Sequence, residues 1–158
     1  MSQNPSDPGR HLTAENAAWA ALAGTLADEE RALVDGDAER LAALAPVKLE
    51  RLHAASEFAR QRLDALRDAG FAPDADGMDA WLAAHGDARA RADWNSLRAL
   101  ETEARACNAR VGKLIDMRLS ANRQALNVLM HAANGKNGLY DPTGQAVATR
   151  GGAPLTSA

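Results

Sequence analysis

Apolar residues return every three to four positions along most of this chain, the period of one helix face. In the first such stretch, opening near residue 13, they are Trp19, Leu22, Leu26 and Leu33, and the turn at Glu29 and Glu30 interrupts the seam. The hydroxyl of Thr13 is placed to cap the start by accepting an orphan backbone N–H. Asp35-Gly36-Asp37 closes the stretch: Gly36 suits the left-handed position past a helix end, and Asp37 can cap the next helix. A second helical segment is expected over residues 38–69, stopped by Gly70, with the stripe Leu41, Leu44, Leu49, Leu52, Leu63 and Leu66. Pro46 lies inside it and predicts a kink or short break, because proline removes one N–H and clashes with the preceding turn.

Residues 70–76 read as a loop, and Asp76 and Asp79 bracket the start of a short helix that carries Met78, Trp81 and Leu82 and stops near Gly86. No proline interrupts residues 88–134, where one helix of about 46 residues would span about 69 Å. Its seam runs Leu97, Leu100, Ala104, Cys107, Val111, Ile115, Leu119, Leu126 and Leu129 in alternating steps of three and four, as in coiled coils. Helices this long are not stable alone in water, so the shorter segments are expected to pack on it. The fold class that follows is all-α: an elongated antiparallel helical bundle or coiled coil with one long C-terminal helix. Residues 1–12 form a disordered lead-in, residues 13–134 the helical domain, and residues 135–158 a flexible tail poor in apolar mass.

Composition sharpens this. Alanine accounts for 37 of 158 residues and aromatics for 4%, with a single isoleucine, so a sheet has nothing to fill its pleated faces. The formal charge of −3 argues against non-specific nucleic-acid binding. No apolar run approaches a membrane span, and the polar first ten residues do not read as a signal peptide. The lone Cys107 fits a reducing compartment, and a cytoplasmic location is expected. Residues 1–87 are net −8 and residues 88–134 net +4. Such a split favours packing of the two parts; equally, both charges can simply solvate exposed faces.

Catalytic chemistry has little footing. His11, His53, His85 and His131 are scattered, and none sits beside a nucleophile. Glu50 and His53 have the Glu-x-x-His spacing of di-iron bundles, but no second such motif accompanies them. Gly135-Lys136-Asn137-Gly138 lacks P-loop spacing. Cys107 and the tryptophans Trp19, Trp81 and Trp94 read as packing residues. No enzyme activity, metal or cofactor is expected.

Two features ask for a binding role. Leu126, Leu129 and Met130 share a face near the end of the long helix, with Val128 to its side, either a candidate seat for an amphipathic helix or a continuation of the packing within the bundle. Beyond it, Tyr140 precedes Asp141-Pro142-Thr143-Gly144, the residue preferences of a type I turn. At these positions the chain resembles the FlgN family of flagellar type III export chaperones. The resemblance rests on Asn122-x-Gln124-Ala125-Leu126-x-Val128-Leu129, then Leu139-Tyr140-Asp141-Pro142-Thr143-Gly144-Gln145, then Arg150-Gly151-Gly152. Gly36-Asp37, Lys48-x-x-x-Leu52, Trp81, Trp94, Asn108 and Gly112 add to it, over about residues 15–152. Val111 stands where similar proteins often have Asn.

The resemblance implies an all-helical chaperone without ATPase activity. It implies clients among the hook–filament junction proteins, hook-associated proteins 1 and 3, whose C-terminal amphipathic segments such chaperones bind and keep unassembled. The client-binding residues would be Asn122, Ala125, Leu126, Val128, Leu129 and Met130. Tyr140, with Gly144 and Gln145, would dock on the cytoplasmic domain of the FlhA-type export-gate subunit. The competing expectation is a structural or adaptor coiled coil that homodimerises through the long helix.

Overall fold

A computed structural model describes residues 7–137, with side chains to Asn134. Four helices account for nearly all of it: α1 (Leu12–Asp35), α2 (Ala38–Asp68), α3 (Ala75–His85) and α4 (Ala88–Asn137). No strand occurs among the described residues.

Residues 1–115 pack as one unit. α1 and α2 form an antiparallel hairpin around Gly36, whose φ of 75° is the left-handed cap expected there. Cross-hairpin contacts fix the register: Lys48 Nζ reaches Glu29 at 2.8 Å, and Arg51 donates to the Ala21 carbonyl at 2.8 Å. The first half of α4 runs parallel to α1. Near its start the Asp93 carbonyl accepts from Asn16 at 2.8 Å, and further along Arg110 Nε donates to Glu30 at 2.8 Å. One core layer joins Leu22, Leu26 and Leu33 of α1, Ala55 of α2, and Ala104, Cys107 and Val111 of α4. A second, at the α3 end, gathers Leu12, Leu66, Met78, Leu82, Trp94 and Leu97. Alanine at the contacts lets the helices approach closely, so a thin apolar inventory still makes a buried interior.

Several expectations need correction. The lead-in does not extend to residue 12: Leu12 is buried, and Asp7, Pro8 and Gly9 form a turn in which the Asp7 carboxylate accepts the Gly9 N–H at 2.8 Å. Burying Leu12 moves the N-cap of α1 two residues back, from Thr13 to His11, and Thr13 instead donates to Asp93 at 2.8 Å. Residues 1–6 lie outside the described residues. Pro46 does not break α2, which is helical on both sides of it. The buried row of α2 is Ala55, Arg62, Ala65 and Leu66, whereas Leu49 and Leu52 of the predicted stripe are exposed. α3 is capped by Asp74, which accepts the Gly77 N–H at 2.8 Å; Asp79 instead accepts from Trp94 Nε1 at 2.6 Å.

Gly77 shows why that helix starts where it does. A Cβ there would run into the Ala72 carbonyl, so only glycine lets the loop fold back over the first turn. Gly77→Ala is expected to cost about 1–3 kcal/mol through forced backbone shifts. Urea unfolding checks it: the midpoint should fall with an unchanged m-value.

From Asp116 onward α4 belongs to a second unit. The helix continues through Gly135 to Asn137, three residues past the predicted end. The expected tail beyond, including Tyr140, Gly144 and Gln145, lies outside the described residues.

Candidate functional site

Every described side chain from Ile115 to Asn134 is exposed. Leu126, Leu129 and Met130 are 57%, 66% and 55% exposed, values that leave most of each side chain in water. At about 100° per residue, Leu129 and Met130 fall within about 60° of Leu126, and Leu119 within about 20°. These four make one continuous apolar face. Asn122 falls within it, between Leu126 and Leu129 and about 40° from Leu126, while Val128 points about 160° away. Ala125 lies about 100° from Leu126, between the two. No single helix can touch both Leu126 and Val128.

The unit formed by residues 1–115 holds a different arrangement that sequence reading missed. Glu15 is fully buried, and Arg62 meets it with two parallel bonds, Nε to Oε2 at 2.9 Å and Nη2 to Oε1 at 3.0 Å. The same guanidinium lies over the Trp94 ring at 4.8 Å, so its face is covered as well as its edge. Bidentate pairing of this kind is the geometry in which a charge can sit inside a protein. A signal existed: Glu15 continues the three-four spacing of Leu12, Trp19, Leu22 and Leu26, on the apolar face of α1.

Of the tryptophans, Trp94 is buried as expected, and Trp19 and Trp81 are half-buried. Lys48 and Leu52 of α2 and the distant Asn108 of α4 line one apolar cavity of about 170 Å³ together with Trp19, Leu22 and Leu26. Cys107 packs in the first core layer and donates to Glu30 at 3.4 Å. Burial, and then the Glu30 carboxylate, push its thiol pKa up. The bonds donated by Arg110 and Cys107 hold the Glu30 carboxyl below its usual range. The thiol is therefore expected to react at least about tenfold more slowly in the folded chain than in urea. Timed labelling with a chromogenic disulfide reagent checks this. His53 and Glu50 gather no further ligands, and no cluster able to hold a metal ion occurs among the described residues.

The family model described as FlgN protein matches residues 8–148. The chain belongs to the FlgN family. That match spans all four helices and runs on past Tyr140, the stretch on which the sequence resemblance was strongest. FlgN is a family of flagellar export chaperones, so the exposed face on α4 belongs to a protein of a kind that binds flagellar clients. No curated protein and no solved structure matches the chain. Among the described residues, no helix is long and apolar enough to cross a membrane.

Proposed function

We propose that this FlgN-family chain holds the C-terminal amphipathic helices of the hook–filament junction proteins, hook-associated proteins 1 and 3, in the cytoplasm and hands them to the type III export gate. The exposed face of Leu119, Leu126, Leu129 and Met130 carries the reading. A client helix laid along that face removes both apolar surfaces from water, at about 25 cal/mol per Å². It also withholds from the client the surface through which it would assemble. Binding of this kind needs no nucleotide or metal, because release comes from handing the client to a competing site.

Tyr140, with Gly144 and Gln145, is the proposed contact with the FlhA-type gate subunit. Separate surfaces let the gate engage a loaded chaperone. Tyr140→Ala should therefore leave client affinity unchanged while weakening binding to the gate's cytoplasmic domain at least about tenfold, the loss of one anchoring aromatic. Titrating the variant against each partner separately reads the two effects; equal losses on both would contradict the division. The direct test of the function is co-purification. A co-expressed junction-protein C-terminus should be retained by the full chain and lost when the chain is truncated before Asn122.

A further inference from the structure

Between Asp116 and Asn134, α4 is apolar over more of its circumference than one partner helix can cover. Leu119, Leu126, Leu129, Met130 and Ala133 fill one arc of about 100°. Met117, Ala121, Ala125, Val128 and Ala132 fill a second of about 80°. With Asn122 inside the first and Arg118 between the two, the arcs extend over about 220°, against the roughly 100° stripe of an ordinary surface helix. Met117 and Val128 are each 68% exposed, so nothing among the described residues covers the second arc.

We infer that this second arc docks a second copy of the chain, antiparallel, with the two-fold axis beside Ala125. In that register Met117 falls opposite the second copy's Ala132, and Val128 opposite its Ala121. Each large side chain meets a small one, and Ala125 meets its counterpart where the backbones come closest. Parallel pairing would set Met117 on Met117 and Val128 on Val128, large against large. The first arc is not self-complementary in the same register, since Leu119 would face Met130. The second arc carries no charged residue, so docking brings no like charges into contact. About 16 residues of helix, roughly 24 Å, give a contact at the small end of what holds proteins together, so the dimer is concentration-dependent. The inference rests on the proposed function only in leaving the Leu126 arc to the client.

Sedimentation equilibrium of the full chain tests it, over about 1 to 300 μM. The mass should rise from one chain toward two, for the parent and for Leu126→Asp with Leu129→Asp. Ala121→Glu with Val128→Glu should stay at one chain while keeping its helicity. Oxidised Ala125→Cys should link two copies, and Arg123→Cys, on the polar side, should not. A parent that remains one chain throughout, a dimer that survives the Ala121 and Val128 changes, or one lost with the Leu126 pair would each overturn the inference. If the Ala121 and Val128 changes instead weaken client capture in a monomeric parent, a second client helix occupies the arc. If client capture fails in every variant while the dimer behaves as described, the proposed function falls and the dimer stands.

Discussion

Arg62→Ala is expected to lower the unfolding free energy by about 3–5 kcal/mol, the range seen when one partner of a buried ion pair is removed. The reason lies in what remains. Glu15 has no exposure at all, and both its carboxylate oxygens are held by Arg62, at 2.9 and 3.0 Å. Glu101, the other group near that guanidinium at 3.9 Å, is itself a carboxylate and offers Glu15 nothing. The truncation also uncovers the Trp94 ring. Arg62→Lys should recover only part of the loss, because an ammonium cannot form two parallel bonds. Glu15→Leu with Arg62→Met should recover most of it, since apolar residues of similar volume replace such pairs with little cost. Urea unfolding of the three variants decides; a loss below about 1 kcal/mol for Arg62→Ala would mean that water reaches Glu15.

Leu126→Asp combined with Leu129→Asp is expected to raise the client dissociation constant at least about 100-fold. Two leucines buried on binding are worth roughly 1.5–3 kcal/mol each, and every 1.4 kcal/mol is a factor of ten. The new carboxylates would also have to lose water against an apolar client face. Both positions are exposed, so the urea midpoint of the chaperone itself should not move. That contrast separates a lost binding surface from a lost fold. Isothermal titration with a junction-protein C-terminal segment supplies the affinity, and a decrease under about fivefold would place the client elsewhere.

What the sequence made legible was whatever periodicity controls. The long helix, its seam through Val111 and the turn at Gly36 follow from spacing and from glycine's backbone freedom alone. The face of Leu126, Leu129 and Met130 was legible as apolar, but its exposure was not, because the same spacing continues the seam that packs up to Val111. The misses share a physical cause: tertiary contact overrode a local rule. Pro8 and Gly9 read as loop, yet they turn the chain so that Leu12 can be buried. Leu49 and Leu52 read as core, yet the antiparallel partner buries Ala55 and Arg62 instead. Glu15 sits at a core spacing on α1, but nothing in one helix announces its partner Arg62 in another. α3 begins at Ala75, a residue ahead of Asp76, with Asp74 as its cap and Gly77 set against the Ala72 carbonyl.

The most direct measurement of the central claim is amide hydrogen exchange on the full chain, with and without a C-terminal segment of a hook-associated protein. Client binding should slow exchange between about residues 119 and 133, and leave α1, α2 and α3 as they were. Slowing instead around Lys48, Leu52 and Asn108, with no change along the end of α4, would contradict the account.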